Sequence, residues 1–169
     1  RHMLDEQLDL VMFLGDYIYE YPNATAAIRS FPTLGWVQTL PEYRERHALH
    51  RSDPHLQAMH AACPWLLTWD DHEVQNDYAG GQAGDGAPLG LNAAADFAAR
   101  RAAAHQAYYE HMPLRASEFA RALTAGSPGG ELRLYSRYRF GRLADVLVLD
   151  SRQYRDPQVC SPRGRVAGM

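Results

Sequence analysis

Leu8-Asp-Leu-Val-Met-Phe-Leu-Gly-Asp16 is a short, almost unbroken apolar run that ends on a glycine and an acid. Such a run fits a strand buried on both faces, as in a parallel sheet, with Asp16 at the strand's carboxyl end. Trp65-Leu-Leu-Thr-Trp69 repeats the pattern and also runs into acid, at Asp70-Asp71-His72-Glu73. Ligands of open α/β sheets gather outside the carboxyl ends of the strands, so Asp16 and Asp71 are expected to converge. Further along, Leu132 to Phe140 alternates apolar and basic residues, and Leu143 to Leu149 is nearly solid apolar after a Gly141-Arg142 turn. The pair reads as a hairpin whose second strand delivers Asp150 and then Arg152. The expected class is α/β, with three strands ending at Asp16, Asp71 and Asp150.

Between these strands the pattern is helical or loop-like. Pro22, Pro32 and Gly35 punctuate a loop before helices expected over about Leu40 to Leu49 and Pro54 to Ala62, the second capped by Asp53. Gly80 to Gly90 is rich in glycine and reads as a mobile loop, with Asn92 placed to cap a helix over Ala93 to His111 that Pro113 stops. On that helix Phe97, Ala98, Ala102, His105, Tyr109 and Met112 are expected to form the packing face. Ser127-Pro-Gly-Gly130 reads as a turn, and no internal repeat is present.

The 169 residues, 46% of them hydrophobic, suit one domain with a real core. A formal charge of -3 supplies no basic field of the kind that holds polyanions, so nucleic acid is not an expected partner. All 17 cationic residues are arginine, which excludes a P-loop lysine and Schiff-base chemistry but leaves good phosphate donors. Cys63 and Cys160 lie far apart without a C-x-x-C, so neither a zinc cluster nor a disulfide framework is encoded. Cys63 reads as a small buried apolar residue. No run is long enough to cross a bilayer as a helix. Arg1-His2-Met3 resembles a cloning scar, in which case an export signal would have been lost upstream.

Two clusters could carry chemistry. In Gly15-Asp16-Tyr17-Ile18-Tyr19-Glu20 a carboxylate at a strand end is followed three residues later by a phenol, and one tight turn would bring both to a single hard cation. The alternative is that Asp16 caps the turn and Tyr19 packs in the core. Four acids and one imidazole lie between Asp70 and Asp77, a density that needs a cation or a positive partner to offset repulsion. A solvated acidic loop is the alternative there. His47, His50, His55 and His60 recur in a helical region, and a solvated face accounts for them.

Leu14-Gly-Asp-Tyr-Ile-Tyr-Glu-Tyr21, Trp69-Asp-Asp-His-Glu-Val74 and Leu149-Asp-Ser-Arg-Gln-Tyr-Arg155 occur in the order and spacing of PhoD-type alkaline phosphatases/phosphodiesterases, and the chain resembles that family over nearly its whole length. Arg46 to Pro54 and Tyr108 to Arg115 add to the likeness. The resemblance implies a calcineurin-like metallophosphoesterase domain, a sheet sandwich flanked by helices, that hydrolyses phosphate monoesters and diesters outside the cytoplasm with iron and calcium. Carried over by motif, Asp16 would bridge the metals, Tyr19 would be the iron phenolate and Asp71 a further ligand. His72 would stand beside the leaving group and Arg152 would bind a phosphate oxygen, although pairing with Asp150 also explains Arg152. Carboxylate and phenolate donors admit manganese or another divalent cation as well.

The resemblance also sets expectations about what the chain lacks. The family's remaining metal ligands come from a strand before Leu8 and from histidine motifs beyond Met169, so residues 1–169 are expected to be a single incomplete domain with little activity of its own. Gln75 and Asp77 stand where the family pattern has Glu and Asn. Two other functions would follow from such a fragment: a non-catalytic acidic metal-binding or interaction module, or a remnant that self-associates through exposed strand edges.

Overall fold

The computed structural model describes residues 1–22, 29–32, 35–84, 94–116 and 132–158. Asn92, the Ser127-Pro-Gly-Gly130 turn, Cys160 and the stretch 159–169 therefore lie outside the described residues. After a short 3-10 turn at His2–Asp5, the described elements are β1 (Val11–Phe13), α1 (Leu40–Arg51), α2 (Pro54–Ala62), β2 (Trp65–Leu67), α3 (Ala94–His111), β3 (Ser136–Phe140) and β4 (Ala144–Val148). The α/β expectation holds, and β1 pairs with β2 in parallel, Val11 opposite Trp65 and Phe13 opposite Leu67. The β3–β4 hairpin forms in antiparallel register, Ser136 opposite Val148, around a Gly141 turn with φ of +56°.

Two expectations about the strands need correction. The strands are shorter than the apolar runs that contain them, β1 covering Val11–Phe13 and β2 Trp65–Leu67. β1 is not covered on both faces: Val11 is buried, but Met12 is 53% and Leu14 78% exposed. Among the described residues the expected hairpin forms a two-stranded sheet of its own, with Leu143, Leu147 and Leu149 exposed.

The helices begin where local chemistry starts them. Glu42 accepts from the backbone N–H groups of Gln38 at 2.9 Å and Thr39 at 2.8 Å, which satisfies donors at the start of α1, and Pro41 sits in its first turn. Asp53 caps α2 through His55 N at 2.9 Å and Leu56 N at 3.0 Å, as its position before Pro54 implies. Cys63, at the end of α2, is half-buried rather than buried.

α3 packs on α1 with Arg44 bridging to Glu110 at 2.6 Å on the exposed side. Its buried residues are Phe97, Arg100, Ala104, His105, Ala107 and Tyr108, with Met112 buried just past its end. Ala98 is exposed and Ala102 and Tyr109 only half-buried, so the packing face is rotated by roughly a quarter turn from the expected one. The reason is Arg100, a cation that periodicity assigns to solvent. Its guanidinium reaches inward to Tyr43 Oη at 3.0 Å and Gln75 Oε1 at 2.9 Å, so the helix turns that side to the core. The core itself is aromatic: Tyr43, Trp69, Tyr78, Phe97 and Tyr108 pack with Ile18, Val37 and Val74, and the loops that follow β1 and β2 enter it through Ile18, Trp69, Val74 and Tyr78.

His47 is also corrected. It lies fully buried rather than on a solvated face, stacked 5.2 Å from His111 and 6.1 Å from Tyr17, because α1 turns it toward α3. His55 is exposed, and His50 and His60 are half-buried.

Candidate metal centre

Both acidic motifs leave parallel strands side by side, and one close crossing sets their geometry. Gly15 has φ of +106°, and a Cβ there would meet Asp70 Cβ at 2.6 Å and the Trp69 carbonyl carbon at 2.8 Å. Glycine is therefore required for the two loops to cross. Asp16 follows in the left-handed region at φ of 57°, as does Asp77 at 55°, a conformation that short acidic side chains tolerate. Glu73 fastens the crossing. Its Oε1 accepts Tyr17 N–H at 2.5 Å and its Oε2 accepts Asp70 N–H at 2.9 Å, and burial pushes its carboxyl up to about 7 against the lowering effect of these bonds.

The convergence of Asp16 and Asp71 holds. Asp16, Asp71 and His72 each offer one ligand atom, all within 4.8 Å of one another. Tyr19 joins them as its spacing implies, donating from its Oη to Asp16 Oδ2 at 3.2 Å. Burial and the Asp16 carboxylate raise the Tyr19 phenol, which therefore keeps its proton unless a cation displaces it. Asp16 Oδ1 is buried and has no hydrogen-bond partner. A buried carboxylate oxygen left unpaired costs free energy that a cation would recover, so the hard oxygen donors assembled here fit a metal ion.

Asp71 is held in turn: its Oδ2 accepts Asp77 N–H at 2.6 Å, while its Oδ1 lies 3.3 Å from Arg152 Nη2. His72 Nδ1 donates to Glu20 Oε2, 2.8 Å away, and its ring lies 4.3 Å from that of Tyr19 and 5.0 Å from that of Tyr21. Burial pulls the His72 imidazole down, but the hydrogen bond and charge of Glu20, with Asp71 and Asp16, outweigh it and the net shift is upward.

Arg152 reaches this centre from the far side of the chain. Its Nε binds Asp70 Oδ1 at 2.5 Å, and its Nη1 lies 3.7 Å from Asp77 without a hydrogen bond. The pairing with Asp150 that also explained Arg152 is not what its guanidinium does. Asp150 instead accepts the backbone N–H groups of Arg152 at 3.0 Å and Gln153 at 2.9 Å, so it closes the turn and is not aimed at the acids. The turn is moored by Thr68 Oγ1 to Leu149 O at 2.9 Å and by Gly80 N to Arg152 O at 2.8 Å. The described part of the glycine-rich stretch is thus docked rather than free. Ala79 bridges Gln82, and Gly84 lies so close to Asn76 O that no side chain fits.

Sequence reasoning missed Glu20 and Glu73 as members of this centre. Both are fully buried acids one residue beyond Tyr19 and His72, and their burial was the one signal that composition could not carry.

The family model for PhoD-like phosphatases matches residues 1–168. The chain belongs to this family. Alkaline phosphatase D of Bacillus subtilis (strain 168) is 48% identical over 163 residues, which cover 94% of this chain and 26% of that protein. A solved structure of PhoD superposes with a TM-score of 0.78 at 47% identity, over 93% of this chain and 28% of the other. The chain thus spans about a quarter of the length of the PhoD relatives it matches, and the motifs around Asp16, Asp71 and Arg152 all lie inside that quarter. Among the described residues, no helix is long and apolar enough to cross a membrane.

Proposed function

We propose that this PhoD-family chain carries part of the metal centre of a phosphoester hydrolase, acting on phosphate monoesters and diesters. The observation that carries the reading is the buried, unpartnered Asp16 Oδ1 beside ligand atoms of Asp71 and His72 within 4.8 Å. Asp16 and Asp71 supply carboxylate oxygens and Tyr19 a phenolate, a hard set suited to iron and calcium, with manganese or another divalent cation as a substitute. Bound cations would lower the pKa of a water and polarise the phosphoryl oxygens.

The remaining residues act on the ester. Arg152 is oriented by Asp70 and Asp71, which leaves Nη1 as a buried donor free to take a phosphate oxygen. His72, with Nδ1 committed to Glu20, has Nε2 left to stabilise or protonate the departing oxygen. A phosphate ester is the partner, and a periplasmic or extracellular site for the parent protein goes with the family likeness.

The test has two parts. Residues 1–169 reconstituted with iron and calcium should bind metal, and Tyr19→Phe should abolish a visible phenolate-to-iron absorption band while Asp16→Asn lowers metal content. In a longer form that restores the flanking sequence, His72→Ala should keep its metal but lose roughly 10² to 10⁴ in turnover of a chromogenic phosphodiester. Metal and activity lost together would make His72 a ligand. Metal binding without hydrolysis in the longer form would favour a non-catalytic acidic metal-binding module.

A further inference from the structure

Glu20 is an acid at the heart of the centre whose two oxygens each face an N–H partner. Its side chain is fully buried, its Oε2 lies 2.8 Å from His72 Nδ1 and its Oε1 accepts the Asn76 backbone N–H at 2.7 Å. The carboxylate thus spans the turn from His72 to Asn76 and grips both ends. Its own backbone is tied as well, since Glu20 O accepts Val37 N–H at 3.0 Å. The His72 ring is confined from two other sides by Tyr19 and Tyr21, whose centroids lie 4.3 and 5.0 Å away.

A carboxylate only accepts hydrogen bonds, so the imidazole must present an N–H to it. We infer that Glu20 is the positioning residue for His72: it holds the imidazole proton on Nδ1 and so leaves Nε2 as the nitrogen that meets the ester. Its catalytic consequence rests on the phosphoester-hydrolase reading, whereas the tautomer itself does not. The Asn76 N–H is a donor in any variant, so in Glu20→Gln it takes the amide oxygen, and the amide NH₂ is turned toward Nδ1. A neutral ring must then accept at Nδ1 and carry its proton on Nε2, and a ring that holds both protons, the form that can give one to the ester from Nε2, loses the carboxylate that accepts from its Nδ1–H.

Long-range proton–nitrogen spectra of ring-labelled residues 1–169, followed upward in pH until the His72 nitrogen shifts stop moving and the ring is neutral, read the tautomer directly. His72→Ala identifies the signals. The wild type should show the Nδ1–H form and Glu20→Gln the Nε2–H form. A wild-type ring protonated on Nε2 overturns the inference even if the variant fails to fold, and so does a folded variant with an unchanged tautomer. In the metal-loaded longer form, Glu20→Gln should lower kcat roughly 10- to 100-fold with KM and metal content unchanged. An unchanged kcat in an active enzyme also overturns it. If the longer form binds metal but hydrolyses no phosphoester, the hydrolase reading falls, and the tautomer result still decides the role of Glu20.

Discussion

Replacing His105 with phenylalanine should make the fold less sensitive to acid. His105 is 4% exposed, neither ring nitrogen has a hydrogen-bond partner, and the ring stacks on Trp69 with centroids 4.3 Å apart. Burial, with a smaller contribution from Arg101, lowers its pKa from 6.5 to about 3. As pH falls below 6.5 the unfolded chain takes up a proton that the folded chain refuses. The stability His105 contributes is therefore fully present above that value and is lost progressively toward pH 3. At about pH 5, one and a half units below the unfolded pKa, the loss is RT ln(1 + 10^1.5), or about 2 kcal/mol.

Other groups titrate in the same window. His47, lowered to about 3 by burial and then by His111, His50 and Arg51, adds a loss of the same sign and similar size. Glu73, raised to about 7 by burial, works the other way, since its folded form favours the proton and gains stability as pH falls. The wild-type curve alone is therefore not diagnostic, but the difference between wild type and His105→Phe cancels these terms. Urea unfolding followed by tryptophan fluorescence at about pH 7.5 and about pH 5 should show the wild type losing about 2 kcal/mol more than the variant between the two conditions. Equal losses would mean that His105 protonates as readily in the folded state as in the unfolded one, which refutes the burial argument.

Gly15→Ala should cost about 3 kcal/mol or more, because the new Cβ meets the Trp69–Asp70 backbone and φ of +106° is closed to alanine; thermal unfolding within about 1 kcal/mol of wild type would show that the loops can part. Tyr43→Phe should cost about 1 to 3 kcal/mol, since its hydroxyl donates to Val74 O at 2.6 Å and accepts from the buried Arg100 at 3.0 Å. A denaturant midpoint unchanged from wild type would contradict it. Arg152→Leu should destabilise the metal-free chain, because Asp70, Asp71 and Asp77 lose their shared cation, and added calcium should recover part of the melting temperature. An equal calcium effect on wild type and variant would uncouple Arg152 from the acids.

Much of the frame was readable from local pattern. Asp53 before Pro54 caps α2, Pro113 follows the end of α3, the Gly141-Arg142 turn closes the hairpin, and Asp16-x-x-Tyr19 meets as one tight turn. These features depend on residues a few positions apart, where backbone geometry and side-chain reach are set by the covalent chain. Periodicity misled where a polar residue turned inward. Arg100 rotates the face of α3, and His47 is buried, because each lies against an element that is remote in sequence and invisible to a local window.

The amino-acid sequence by itself determined the α/β class, the parallel meeting of the strands before Asp16 and Asp71, the helices between them and the three motifs that mark the family. The tertiary structure alone decided which acids remain available. Glu20 and His72, 52 positions apart, and Asp70 and Arg152, 82 apart, become partners only once the chain has closed on itself. Glu20 and Glu73 are spent on N–H donors, whereas Asp16 keeps a buried oxygen unpaired. Composition treats these carboxylates alike; what separates them is the set of donors that folding places within hydrogen-bond reach of each one.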